Sequence, residues 1–101
     1  MTSTQLTSLF SLCQKAGRLA SGEVACEKLL QSQKAALVLV CEDASDNTKK
    51  KFCNKSFFYG VPFYIKLEKN ELSRAIGKEN RAVVAVDDQS FAERLIAILS
   101  Q

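Results

Sequence analysis

The sequence predicts an α/β fold, a three-layer α/β/α sandwich around a mixed sheet of about four strands. Three observations carry this reading. Segments whose apolar residues recur at helical spacing alternate with short β-rich runs from one end of the chain to the other. One of those runs, residues 36–41, is apolar without interruption, as a strand covered on both faces must be. No internal repeat, low-complexity tract or long linker divides the 101 residues, a length that supports one compact domain with a single modest core.

Taken in order, Leu6, Leu9, Phe10 and Cys13 recur at i, i+3, i+4 and i+7, which predicts an amphipathic helix over about residues 4–16, ended by Gly17 in the left-handed conformation. Leu19, Ala20 and Ser21 form a short extended piece, whose shortness predicts some antiparallel pairing in the sheet. A second helix runs from Gly22 to about Gln33 and leads into the apolar strand over 36–41. Ser45-Asp46 supplies an N-cap for a third helix reaching about Phe58, with Phe52, Cys53, Ser56 and Phe57 inward and Lys50, Lys51, Asn54 and Lys55 outward. The break at Tyr59-Gly60-Val61-Pro62 ends it. A strand over 63–67, a short helix over 70–76 closed by Gly77, a strand over 82–86 and a last helix over 88–99 follow, the last burying Phe91, Ala92, Leu95, Ile98 and Leu99.

Composition narrows the function. No apolar run approaches the roughly 20 residues that span a bilayer, and residues 1–9 lack the basic start and long apolar stretch of a secretory signal, so a cytoplasmic protein with no membrane partner is expected. The four cysteines, Cys13, Cys26, Cys41 and Cys53, stand 13, 15 and 12 residues apart with no Cys-x-x-Cys pair and no histidine in the chain, which argues against a metal site. Each falls in an apolar periodic segment, and all four are expected to be buried, reduced thiols acting as small hydrophobes. The net charge of +3 is uneven: residues 1–86 carry 13 basic and 8 acidic side chains, residues 87–101 one and three. A moderately basic domain suits a polyanion.

The candidate site lies at the start of the second helix. On a helical wheel Val24 and Lys28 share an outer face opposite Gly22, Cys26, Leu29 and Leu30. The free backbone N–H groups of Gly22, Glu23 and Val24 add an anion-attracting end, although Glu23 by itself also satisfies the helix dipole. The lysines at 49, 50, 51 and 55 read as a solvated face, whereas Arg81 sits in a turn leading into a buried strand, where a rigid scaffold presents it. Glu42-Asp43 and Asp87-Asp88 each follow a strand, but Asp88 is placed to cap the last helix, and Asp43 or Asp46 the third. With no nucleophile motif, no glycine-rich phosphate loop and no histidine, the chain is not expected to be an enzyme, and no catalytic residue, cofactor or metal is assigned.

Several runs together carry a resemblance: Leu12-Cys13-Gln14-Lys15-Ala16-Gly17-Arg18-Leu19-Ala20-Ser21-Gly22-Glu23, then Lys28, then Leu37-Val38-Leu39-Val40-Cys41-Glu42-Asp43-Ala44-Ser45, Val61-Pro62, Leu72-Ser73-Arg74-Ala75-Ile76-Gly77-Lys78 and Ala82-Val83-Val84-Ala85-Val86. The chain resembles the kink-turn RNA-binding ribosomal protein family, most closely its small bacterial YlxQ-type branch, over roughly residues 6–99. The resemblance implies a protein that binds kinked, structured RNA, with ribosomal RNA among the candidates, and a monomer is expected. The second helix would enter the groove at tandem sheared G·A pairs, and the loop before the last strand would cover an extruded base. The residues it marks are Arg18, Ser21, Gly22, Glu23, Val24, Ala25 and Lys28, then Glu42 and Asp43 at the sheet edge, and Lys78, Glu79, Asn80, Arg81 and Ala82 in the loop. The family's strong binders carry an Asn-Glu pair where this chain has Val24-Ala25, neither of which hydrogen-bonds a base edge through its side chain. The other reading is a protein-interaction adaptor on the same fold, with Val24 as the docking contact; a basic concave surface joining Lys28 to Arg81 would favour RNA.

Overall fold

In a computed structural model that describes residues 2–101, helices α1 (Thr2–Lys15), α2 (Glu23–Gln31), α3 (Asp46–Tyr59), α4 (Lys69–Ile76) and α5 (Gln89–Leu99) alternate with strands β1 (Leu19–Ser21), β2 (Leu37–Val40), β3 (Phe63–Ile65) and β4 (Val83–Val86). Met1, part of the stretch read against a secretory signal, lies outside the described residues. The strands form one mixed sheet in the order β1-β4-β2-β3. Strand β4 pairs antiparallel with β1 and with β2, and β2 pairs parallel with β3. The predicted sandwich and mixed sheet are therefore observed, with each element within a few residues of its expected bounds.

The alternation of side chains along β2 and β4 divides the core in two. Leu37, Leu39, Cys41, Val84 and Val86 project to one face and meet Leu6, Phe10, Leu72 and Leu95 from α1, α4 and α5. Val38, Val40, Val83 and Ala85 project to the other and meet Cys26 and Leu30 of α2 and Phe52 of α3. All residues of both strands are buried, which is why neither run shows a polar alternation in the sequence. Each fully buried side chain of this size is worth roughly 1.5–3 kcal/mol, so the two central strands are the stable platform on which the loops at their ends are held.

Three expectations are corrected. On α3 the buried positions are Thr48, Phe52 and Ser56, a strict four-residue spacing, and Cys53 and Phe57, one residue further round the helix, are exposed. One residue is about 100° of rotation, enough to turn a side chain from the core to solvent. Cys53 is thus not a core thiol, whereas Cys13, Cys26 and Cys41 are buried. Burial, with nearby carboxylates adding to it, pushes the Cys13 thiol up to about 11 and those of Cys26 and Cys41 up to about 12. Neither Asp43 nor Asp46 caps α3: Ser45 Oγ accepts the Thr48 N–H at 3.2 Å. Asp43 Oδ1 accepts the Lys69 N–H at 2.9 Å instead and so fixes the start of α4. Asp88 does cap α5, accepting the Phe91 N–H at 2.8 Å.

Candidate functional site

Strand β1 ends where α2 begins, and the joint is Gly22. Its φ of 90° and ψ of 159° lie in a region essentially reserved for glycine, which lets the chain turn directly from strand to helix. The Gly22 N–H donates to Val83 O at 3.0 Å, so the first helical turn is bolted to β4. This corrects one expectation, since the Gly22 N–H is used internally. The N–H groups of Glu23, Val24 and Ala25 have no partner among the described residues, and no side chain caps the helix. They give the end of α2 the partial positive charge of a helix start.

The loop after α4 closes over this end. Ser73, buried on α4, accepts the Arg81 N–H at 2.8 Å and donates back to Arg81 O at 3.4 Å. Cys41 N–H donates to Ala82 O at 2.8 Å, tying the same loop to the end of β2. The Arg81 backbone thus pinned, its side chain reaches across β1, where Nε donates to Ser21 Oγ at 3.3 Å. One terminal nitrogen, Nη1, donates to Glu79 O at 3.4 Å. Asn80 adopts a left-handed φ of 53°, a conformation asparagine tolerates better than most residues, and this turns the loop back toward β4.

The result is an open cleft of about 410 Å³ lined by Ser21, Gly22, Glu23, Val24, Ala25, Lys28 and Arg81. Lys28 and Arg81, 53 positions apart in sequence, both line it. Val24 stands on its rim, 67% exposed, as the helical wheel predicts. Gly22 is indispensable to its shape for conformational reasons alone, because a Cβ there would meet only the Arg81 side chain, at 3.9 Å.

The Glu23 carboxylate is held by residues of α3. It accepts from Thr48 Oγ1 at 3.0 Å and from Lys51 Nζ at 3.1 Å. Glu27 continues the clamp to Lys51 at 3.2 Å and Lys55 at 3.8 Å. The hydrogen bond from Lys51 and then that from Thr48 hold the Glu23 carboxyl below its ordinary value, and the carboxylates of Glu23 and Glu27 raise Lys51. Lys51 and Lys55 are therefore not purely solvated, as the sequence suggested. Their partners lie on a neighbouring helix, a pairing that linear spacing does not reveal. Ser73 was likewise missed; its signal is only a small polar residue on the inward face of an amphipathic helix.

The other marked residues lie in two further places. Lys78, Glu79 and Asn80 are exposed on the loop beside Arg81, and Ala82 is half-buried at its end. Glu42 and Asp43 are exposed at the end of β2, where the Glu42 N–H donates to Leu67 O at 2.8 Å, and they do not line the cleft. Arg18 is exposed at the opposite end of β1 from Gly22, about 13 Å away at strand rise, with its carbonyl accepting the Asp87 N–H at 2.8 Å. Among the described residues no group of His, Cys, Asp and Glu is placed to hold a metal ion, and no helix is long and apolar enough to cross a membrane.

Comparison with known proteins gives a consistent set of relatives. Residues 4–96 match the family described as Ribosomal protein L7Ae/L30e/S12e/Gadd45. The chain is 45% identical over 91 residues to the RNA-binding protein YlxQ of Bacillus subtilis (strain 168), covering 90% of this chain and 91% of that one. It is 38% identical over 86 residues to the RNA-binding protein YlxQ of Enterococcus faecium, covering 85% and 82%. Among solved structures, a protein of unknown function from Bacillus halodurans superposes with a TM-score of 0.91 at 34% identity over 95% of this chain and 97% of that one. The 15.5kD RNA binding protein of Giardia lamblia shares the fold with a TM-score of 0.81 at 19% identity, over 98% and 88%.

Proposed function

The chain belongs to the L7Ae/L30e/S12e/Gadd45 family of ribosomal proteins, and from that membership we propose that it is a non-enzymatic, cytoplasmic RNA-binding protein that recognises kinked, structured RNA, on the ribosome or in another ribonucleoprotein. It acts as a monomer in this reading. The observation that carries it is the cleft that Lys28 and Arg81 both line beside the uncapped start of α2. Two cations and three free N–H groups converge on one concave surface, a combination that suits phosphate oxygens brought close together where an RNA backbone bends sharply. Two relatives named RNA-binding proteins, similar along most of the chain, support the same partner class.

The recognition this site can perform is mainly of shape and backbone. Val24 and Ala25 offer no side-chain hydrogen bond to a base edge, so bases meet the helix tip through apolar contact and through the backbone N–H groups. The adaptor reading has exposed Val24 in its favour, but the concave basic surface favours RNA. The test is fluorescence titration with a kink-turn RNA and an unkinked duplex of equal length, at two or more salt concentrations. The kinked RNA is expected to bind tighter. Lys28→Ala and Arg81→Ala are each expected to weaken binding and to lower the log–log salt slope by about one, the change that goes with neutralising one phosphate fewer. Equal affinities for the two RNAs would reduce the site to general polyanion binding, and unchanged binding in both variants would remove it from this cleft.

A further inference from the structure

The outer face of α3 carries a combination that neither the core nor the cleft uses. Phe57 is 88% exposed and Phe58 79%, two adjacent aromatic rings in solvent. Helical spacing places Lys50, Asn54 and Phe57 at i, i+4 and i+7 on one stripe, and all three are exposed. Lys51 and Lys55, on the flank toward α2, are held by Glu23 and Glu27, whereas no carboxylate pairs with Lys50 among the described residues. Asp46 lies one turn before Lys50, at the helix start. The Phe58 ring is braced edge-on against Tyr59, with centroids 5.0 Å apart and planes at 89°.

Charge and area point to one kind of occupant. The two rings together offer roughly 300 Å² of apolar surface, well short of the roughly 800 Å² per partner that a stable protein interface buries, so a second copy of this chain does not fit. An exposed ring and an unpaired ammonium about 10 Å apart on one helix face match a short stretch of single-stranded RNA, which brings a base to stack and a phosphate to pair. The helix that carries the stripe packs beside the helix whose start forms the cleft. Glu23 meets Thr48 and Lys51, and Glu27 meets Lys51 and Lys55, so α3 runs alongside α2 in the same direction, with the stripe about 100° round the helix from Lys51.

We propose that the Lys50–Asn54–Phe57 stripe, with Phe58 beside it, is a second RNA contact that takes unpaired nucleotides adjoining the kinked element. Phe57 stacks on a base, Lys50 meets a phosphate about 10 Å back along the helix, and the Asn54 amide supplies both donor and acceptor to a base edge. The inference rests on the RNA-binding reading of the cleft and extends its substrate to a kinked element with a single-stranded extension.

The experiment has two arms. In the first, the full chain is titrated by NMR with a mixed-sequence single-stranded RNA hexamer; the ring resonances of Phe57 are expected to move upfield and saturate. In the second, a kink-turn RNA with a four-nucleotide single-stranded extension is expected to bind the parent tighter than its blunt counterpart, and Phe57→Ala to remove about tenfold of that affinity while leaving the blunt RNA unchanged. Phe57 is so exposed that the variant keeps its fold. Stationary Phe57 resonances overturn the inference and leave the cleft reading intact. The same holds if Phe57→Ala fails to reduce the gain from the extension. A poly-glutamate peptide that moves Phe57 as strongly as the hexamer also overturns it, by assigning the stripe to an acidic protein. Movement of Phe57 in a chain that binds kinked and unkinked RNA equally retains the α3 contact while removing the cleft's specificity.

Discussion

Two helix starts sit at opposite ends of β4 and solve the same problem in opposite ways. At the Val86 end, α5 begins with Asp88, whose side chain accepts the Phe91 N–H, so the chain itself satisfies one of the first-turn donors. At the Val83 end, α2 begins with Gly22, which has no side chain to offer, and three N–H groups are left for something else. The starts of α3 and α4 resemble that of α5: Ser45 caps one, and Glu68 with Glu71 forms a capping box on the other. A start closed by its own side chain contributes stability alone. A start held in place by a backbone bond to the sheet and left without a side-chain cap is a rigid presentation of unpaired donors, at a stability cost of only about a few tenths of a kcal/mol because glycine is itself a favourable N-cap residue.

The sharpest way to break this contrast is Gly22→Ala. The ψ and positive φ at this joint are foreign to L-residues, so about 1–3 kcal/mol of stability is expected to be lost, with RNA affinity falling as the helix start shifts. Urea unfolding of parent and variant measures it, and a loss near zero would mean the joint adapts freely. A change of similar size is expected in selectivity from Val24→Asn combined with Ala25→Glu. Polar side chains at the open start should raise discrimination for tandem G·A pairs by about 1–3 kcal/mol, taking the DNA base-edge scale as a guide. An unchanged affinity ratio between G·A-containing and G·A-disrupted RNA, in a folded variant, would favour the adaptor reading.

The closed start gives the converse. Asp88→Ala is expected to cost about 1 kcal/mol in urea unfolding while RNA titrations coincide with the parent. Reduced RNA affinity there would show that the two ends of β4 are not independent. Smallest is Glu23→Gln, which weakens the α2–α3 clamp by at most about 1 kcal/mol because the pair is partly solvated. Its pH signature is more telling than its size. A carboxyl held below its ordinary value of 4.5 contributes its full stabilisation above that pH and loses it as the pH falls through the depressed value. The parent-minus-variant difference should therefore shrink on acidification below 4.5; a difference that stays constant would place the clamp's contribution elsewhere.

The fold was legible because its signals are local and redundant. The unbroken apolar runs of β2 and β4, the i, i+3, i+4, i+7 pattern of α1 and the glycines after α1 and α4 each point to the same sandwich. Outward Val24 and Lys28 followed from periodicity too. What periodicity could not resolve was α3, where lysines and aromatics follow one another so closely that a shift of one residue separates a buried face from an exposed one. Long-range pairings escaped for a different reason. Asp43 looks like a cap for the helix that follows it and instead serves one that begins 26 residues later, and Glu23 finds its partners 25 and 28 residues away. Such choices are made by the sheet order, which brings sequence-distant loops to one edge.

The placement of the thiols has a consequence for handling the protein. The nucleophile in disulfide chemistry is the thiolate, and three of the four sulfurs are sealed in the core with acidities pushed far toward the alkaline side. Cys53 alone among the described residues reaches solvent. Air oxidation of the folded chain can therefore join two molecules and no more, producing one new band on non-reducing electrophoresis and no ladder. The covalent pair so formed is tethered through Cys53, one turn of helix from Phe57, so an oxidised preparation presents a crowded α3 surface while its Lys28–Arg81 clefts remain open.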